Sequence, residues 1–424
     1  MSPAYGRRRR EGVGLSEEHH GWLLPALDAG FPGSLLPALE AYLAKTVGAT
    51  EVQLLLVDYD LETLQCYVGA QDLGMSTSYP IGASAVGRAF ISQRTDVRRS
   101  AEGDSAYVPI TVRGERIGVL WVSGPTLGEN GAVATLEHAA LTLGYVMPRA
   151  ALYADTVERT RRQQPLTLPA EIQWSELPVR AHESDYFTVA GQLCPAYEVG
   201  GDIFDYTFED DHLVITSLDA MGHGLNASLL GSLAINTLRN ARRAGLSLIE
   251  QVHAADRVLF EQFGGEQFVS GAMLRIDRES GEVKGINAGH PLGCVIRDGQ
   301  VEPLDMDSQL PMGLWEKTEY VEHIGHLQPG DRVIVVSDGV LEACPPGGEE
   351  FGEKRLYEAV LAEHDRVPGE LVRHLMRMLR AYQGVELRDD LTIICLDWRG
   401  GPDPDRDPVA QVTATPTGAR QAGR

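Results

Sequence analysis

The run His212-Leu213-Val214-Ile215-Thr216-Ser217-Leu218-Asp219-Ala220-Met221-Gly222-His223-Gly224 decides how the second half of this chain is read. Its apolar residues from Leu213 to Leu218 predict a buried strand. Asp219 ends that strand, and Gly222 and Gly224 let the backbone turn sharply beyond it. A carboxylate so placed is aimed out of the sheet into a cleft. The construction recurs at Ser337-Asp338-Gly339, directly after Val333-Ile334-Val335-Val336. Its mirror image stands in Arg388-Asp389-Asp390-Leu391-Thr392, where the acids precede the strand Leu391-Thr392-Ile393-Ile394. A further acidic motif is Val199-Gly200-Gly201-Asp202-Ile203-Phe204-Asp205. Singly, a Gly-Gly-Asp or a Ser-Asp-Gly is an ordinary turn. Together, acids gathered at the ends of buried strands repel one another unless a cation lies between them. Carboxylate oxygens are hard ligands that suit Mg2+ or Mn2+. A metal-dependent phosphoryl enzyme is therefore the first expectation.

Outward from those motifs, strands are expected at Tyr206 to Phe208, Val269 to Ile276, Val283 to Asn287, Val295 to Ile296 and Arg332 to Ser337. Helices are expected from Leu225 past Leu238, from Leu248 to Phe263, near Glu353 to Glu363 and from Gly369 to Tyr382. Strand clusters alternating with helix pairs predict sheets covered by helices in layers, an α+β class. Towards the N-terminus, Leu35, Leu36, Leu39 and Leu43 predict a helix over Leu35 to Val47. Strands follow at Val52 to Val57 and Leu64 to Val68, and a loop leads into a short helix at Ile81 to Phe90. Tyr107 to Val112 and Ile117 to Val122 then flank Arg113-Gly114-Glu115-Arg116 as a hairpin. An antiparallel sheet with helices on one face fits this order. Between the halves, Leu136, Leu143, Ala150 and Val157 recur at seven, with Ala139, Val146 and Tyr153 between them, which predicts a dimeric coiled-coil connector. Pro148 is expected to kink or split that helix, and Pro165, Pro169 and Pro178 to mark a stiff linker.

With 424 residues, two domains are the natural expectation. Lys+Arg 37 against Asp+Glu 60 gives a formal net charge of -23, which argues against nucleic acid as a partner. The basic run Arg7-Arg8-Arg9-Arg10 lies in a polar tail and reads as solvated. Cys66, Cys194, Cys294, Cys344 and Cys395 are odd in number and widely spaced, as reduced thiols of a cytoplasmic protein are. No run is long enough to insert into a membrane.

Ala85-Val86-Gly87-Arg88-Ala89, with Val108-Pro109-Ile110 and Ile117-Gly118-Val119-Leu120, resembles a GAF domain over about Gly33 to Val146. The resemblance implies a sensory or dimerising module that receives a small-molecule or protein signal. The acidic motifs, joined by Asn287-Ala288-Gly289-His290-Pro291, Leu310-Pro311-Met312-Gly313-Leu314 and Leu327-Gln328-Pro329-Gly330-Asp331, resemble the SpoIIE-type branch of the protein phosphatase 2C (PPM) family over about Tyr186 to Trp398. That resemblance implies an α/β/β/α sandwich with two Mn2+ or Mg2+ ions. Asp202, Asp219, Asp338 and Asp389 would be the catalytic metal ligands, with the Ala220 carbonyl contributing and Asp205 and Asp390 less firmly placed. His223 and His290, in glycine loops, are expected to be structural.

The expected organisation is a tail (1–32), a GAF-like domain (33–146), a helical, proline-containing linker (147–184), a PPM domain (185–398) and a disordered tail (399–424). The implied function is hydrolysis of phosphoserine or phosphothreonine by a water activated between two metal ions. A homodimer is expected, acting on an anti-anti-sigma (STAS) protein in a partner-switching pathway. The alternative is a catalytically weak phosphoprotein-binding regulator or scaffold.

Overall fold

The computed structural model describes residues 23–29, 34–67, 77–101, 103–125, 127–128, 131–195, 197, 200–384 and 389–401. Val199, Arg388, the Arg7–Arg10 run, the strand end at Val68 and the segment 402–424 lie outside them. The chain divides into two compact units, Met1–Val112 with Arg116–Gln163, and Arg113–Glu115 with Gln164–Arg424. No described helix is long and apolar enough to cross a membrane.

The first unit contains α1 (Leu23–Ala29), α2 (Leu35–Val47), β1 (Glu51–Val57), β2 (Thr63–Cys66), β3 (Ser78–Pro80), α3 (Ala85–Ser92), β4 (Asp96–Ser100), β5 (Gly103–Val112), β6 (Glu115–Gly124), α4 (Ala132–Ala151) and α5 (Thr156–Arg161). Its strands form one sheet in the order β3-β2-β1-β6-β5-β4. Side chains alternate across that sheet. Leu54 and Leu56 of β1 face a core with α1, α2, α4 and α5, whereas Leu55 and Val57 face a smaller one under α3. Helices therefore cover both faces, not one as the sequence suggested.

The expected coiled-coil seam is also placed differently. Leu136, Ala139, Leu143 and Val157 are buried in the unit's own core, which an apolar helix stripe reaches as readily as a partner helix. Tyr153 alone of the seam is largely exposed. Pro148 does not split α4, which continues to Ala151. It falls within the last turn, where only the one hydrogen bond its missing N–H would have made is lost.

The second unit contains α6 (Leu168–Glu176), β7 (Ala181–Glu183), β8 (Phe187–Cys194), β9 (Asp202–Phe208), β10 (His212–Ala220), α7 (Leu225–Arg243), α8 (Leu248–Phe263), β11 (Val269–Asp277), β12 (Glu282–Ala288), β13 (Cys294–Arg297), β14 (Gln300–Pro303), β15 (His323–His326), β16 (Arg332–Val336), α9 (Asp338–Glu342), α10 (Gly352–Ala362), α11 (Pro368–Gln383) and β17 (Leu391–Trp398). Two sheets result, β15-β12-β11-β10-β9 and β14-β13-β16-β17-β8-β7. Phe204, Leu213 and Ile215 of the first sheet meet Val333, Val335, Ile394 and Leu396 of the second in a shared core. On its other face the first sheet buries Ile203, Leu218 and Met273 against α7 and α8. The second buries Ile334, Val336 and Ile393 against α10 and α11. This is an α/β/β/α sandwich. The proline segment read as a linker holds α6, with Pro169 in its first turn and the Thr167 hydroxyl capping the Ala170 amide.

Candidate metal centre

Strand alternation fixes where each acid points. In β10, Leu213, Ile215, Ser217 and Asp219 share the face turned to the second sheet, so Asp219 ends the inter-sheet stripe. The antiparallel register sets Asp219 directly opposite Asp202, the first residue of β9. In the second sheet, β16 and β17 run antiparallel with Val336 opposite Ile393. The end of β16 therefore lies beside the start of β17. Asp338 opens α9 just past that end, and Asp389 and Asp390 precede β17. All four expected ligands thus come from strand ends on one side of the sandwich.

Hydrogen bonds tie the two sheets together there. The Thr392 hydroxyl donates to Asp202 Oδ2 at 2.7 Å. Asp390 accepts from the Gly200 amide at 2.8 Å with each oxygen and from the Asp202 amide at 3.3 Å. Ser337 links β16 to β17, accepting from the Thr392 amide at 3.0 Å and donating to the Asp390 carbonyl at 3.3 Å. Two glycines permit the approach. A Cβ on Gly201 would sit 2.2 Å from the Ala220 carbonyl oxygen, and one on Gly339 would sit 2.0 Å from that of Asp390. Those contacts explain Gly201 and Gly339 without invoking an unusual backbone angle.

Packing so many acids together raises their proton affinity. Burial, then Asp390 and Asp219, push the Asp202 carboxyl well above its ordinary range, against the hydrogen bond from Thr392. Asp219 is pushed up to about 7 by burial and by Asp338, Asp389 and Asp390. Asp390 is also raised to about 7, chiefly by burial and then by Asp389, although its backbone hydrogen bonds oppose this. Asp338 is raised by burial and by Asp389. Among the described residues, the charged groups acting most strongly on these four acids are other aspartates. Among the described residues, nothing hydrogen-bonds or ion-pairs with the Asp219 carboxylate. The set is purely oxygen and partly unsatisfied, which fits Mg2+ or Mn2+. Among the described residues no three acidic, His or Cys side chains are closed to coordinating separations.

Asp205 has another role. Three residues after Asp202, it falls on the opposite face of β9, towards α7. There Arg239 reaches it at 3.0 Å and Arg242 at 3.2 Å, and Arg239 also holds Glu176 at 2.7 Å. Removing one cation from a buried carboxylate leaves charge uncompensated. Arg239→Ala should lower unfolding stability by about 3 kcal/mol in urea melts; a loss within the scatter of the fits would contradict this role.

His290 is buried, with its ring nitrogens 3.0 Å from Ser217 Oγ and 3.1 Å from Ser270 Oγ. Burial lowers its pKa to about 4, so it is neutral at pH 7 and pins the turn after β12. His223 is exposed in the turn after Ala220.

Sequence reasoning missed Gln173. Its buried side chain, on α6, donates to the Asp202 carbonyl at 2.7 Å. The helix start at Thr167 and Pro169 was a usable signal. Residues that hold ligands in place typically cost tenfold to a hundredfold in metal affinity when lost. Gln173→Ala should therefore raise the half-saturating Mn2+ concentration by about tenfold; an unchanged titration would show that the contact is only structural.

Residues 209–399 match the model of the family Stage II sporulation protein E (SpoIIE). The chain is 22% identical over 233 residues to phosphoserine phosphatase RsbU of Bacillus subtilis, covering 54% of this chain and 69% of RsbU. It is 26% identical over 150 residues to phosphoserine phosphatase RsbP of the same organism, covering 34% of this chain and 37% of RsbP. Among solved structures, the SiaA-PP2C domain of Pseudomonas aeruginosa is 23% identical at a TM-score of 0.46, covering 54% of this chain and 93% of that one. The segment carrying Asp219, Asp338, Asp389 and Asp390 is thus the part of the chain that is similar to the SpoIIE family.

Proposed function

We propose that this chain is a metal-dependent protein serine/threonine phosphatase regulated by a GAF-like first unit. The observation that carries the reading is the arrival of Asp202, Asp219, Asp338 and Asp389 at one end of two packed sheets. The SpoIIE match and the phosphoserine phosphatases among its relatives support it. Two divalent ions held there would supply Lewis acidity and a nucleophile at neutral pH. Asp202, Asp219, Asp338 and Asp389 are the ligands in this reading, with the Ala220 carbonyl beside them. Asp390, Thr392 and Gln173 hold Asp202 in position. His290, neutral and bound to two serines, takes no proton from the substrate.

The substrate in this reading is a phosphoserine or phosphothreonine of a STAS protein in a partner-switching pathway, and the chain acts as a cytoplasmic homodimer. Turnover of p-nitrophenyl phosphate and of a serine-phosphorylated STAS protein by the full chain tests it. Activity should require Mn2+ or Mg2+, vanish with EDTA and return on adding metal. Turnover indifferent to chelation would refute the metal mechanism. Tight phosphoprotein binding without turnover would favour the scaffold alternative.

A further inference from the structure

Past Asp219, the chain carries an apolar stripe that the fold itself does not bury. Met221, Leu225 and Leu229 follow at intervals of four, and their exposures are 48%, 42% and 52%. Residues four apart on a helix stand one above another, so Leu225 and Leu229 form one strip at the start of α7. Meanwhile Ala227, Leu230 and Ala234 turn inward to the sheet. Single exposed leucines are ordinary, but a contiguous strip marks a contact surface.

Its place is fixed by neighbouring bonds. The Ser228 hydroxyl, between the two leucines, donates to the Gly200 carbonyl at 3.4 Å, two residues from Asp202. Met221 is two residues from Asp219, so the strip starts within about 7 Å of that ligand along the chain. The opposite sheet contributes a different rim. Glu342 ends α9, four residues after Asp338, and Glu350 follows in the next loop; both are exposed. Asp338, Glu350 and Asp389 all lie close enough to act on the Glu342 carboxyl. The mouth is thus apolar on the α7 side and anionic on the α9 side.

A phosphoserine whose phosphoryl group enters between Asp219 and Asp338 must lay its chain across this mouth. Extended residues advance about 3.3 Å each, so its near neighbours on either side pass over residues that lie close along the chain to Asp219 and to Asp338. Resting on the phosphatase reading above, we propose that Met221, Leu225 and Leu229, with Glu342 and Glu350 opposite, select phosphoserine segments that carry apolar residues on one side and basic residues on the other. The occupant is the substrate, because the strip is continuous with the centre that must receive its phosphoryl group. Opposite charge on the second rim gives the segment its direction.

The test uses the full chain with Mn2+, p-nitrophenyl phosphate, and three phosphoserine peptides. One peptide has Leu-Leu before and Lys-Lys after the phosphoserine, one has the reverse order, and one has glycines on both sides. Wild type should show a KM about tenfold lower for one leucine–lysine order than for the glycine peptide. Leu225→Ser with Leu229→Ser should erase most of that preference without changing turnover of p-nitrophenyl phosphate, and Glu342→Gln should weaken it. Equal KM values for all three peptides in the wild type, or an unchanged preference in the double variant, would overturn the proposal alone. Conversion of a dimer to a monomer by the double variant, with peptide preference intact, would assign the strip to self-association and also overturn it. Absence of p-nitrophenyl phosphate turnover in the wild type would overturn the phosphatase reading and this inference with it.

Discussion

Asp219→Ala and Asp338→Ala should each cut Mn2+-dependent turnover by about a thousandfold, equivalent to about 4 kcal/mol of transition-state stabilisation. The two acids reach the centre from different sheets, so each loss opens the site on a different side. A defect of folding would give the same loss, and the electrostatics separate the two cases. Burial and the surrounding acids raise the pKa of both side chains, so in the metal-free protein each resists ionisation. Removing either should leave the metal-free protein as stable as the wild type or more so, while abolishing stabilisation by Mn2+. Melting temperatures with EDTA and with Mn2+, measured beside kcat, check this. A variant that keeps wild-type turnover, or loses stability in EDTA, would contradict the assignment.

The second large effect is on pH. Asp202, Asp219, Asp338 and Asp390 all have folded pKa values raised above those of an unfolded chain, Asp219 and Asp390 to about 7. Between about pH 4, where the unfolded carboxyls ionise, and pH 7, the native state holds more protons than the unfolded one. Stability of the metal-free protein must then fall as pH rises through that window, by about 1.4 kcal/mol per pH unit for each proton so held. His290 works the other way, since its pKa is lowered to about 4 and its contribution grows up to about pH 6.5. The net decline should therefore run from about pH 5 to pH 7 and level off above it. Saturating Mn2+ binds the ionised form, stabilises the fold and should flatten or reverse the slope. Urea melts at pH 5, 6, 7 and 8, with EDTA or with Mn2+, read this directly. Metal-free stability that climbs between pH 5 and 7 would contradict a compressed acid cluster.

Much of this was legible in the sequence because the signals are local. The run Leu213 to Leu218 reads as a strand, and β10 spans His212–Ala220. Leu35 to Val47 and Leu248 to Phe263 read as helices and are helices at those bounds. The pairing of Asp202 with Asp219 follows from the short turn between β9 and β10, which fixes the register of that hairpin. The misreadings share a cause. Heptad spacing at Leu136 and Leu143 signals an apolar stripe without naming what it packs on, and here it packs on its own sheet. Pro169, in the segment expected to be a helical, proline-containing linker, lies in the first turn of α6, a place proline suits. Gln173 was invisible because its partner, Asp202, comes from a strand distant in the sequence. Asp205 and Asp202 differ only by a count of three along one strand, which is enough to send Asp205 to Arg239 and Arg242 instead of the cleft.

The central claim is that four strand-end aspartates hold the metal on which hydrolysis depends. Anomalous scattering from crystals of the full chain grown with Mn2+ tests it most directly. The account predicts two peaks among Asp202, Asp219, Asp338 and Asp389, both weakened or lost in Asp219→Ala. Manganese bound elsewhere, in a protein that still hydrolyses p-nitrophenyl phosphate, would contradict it.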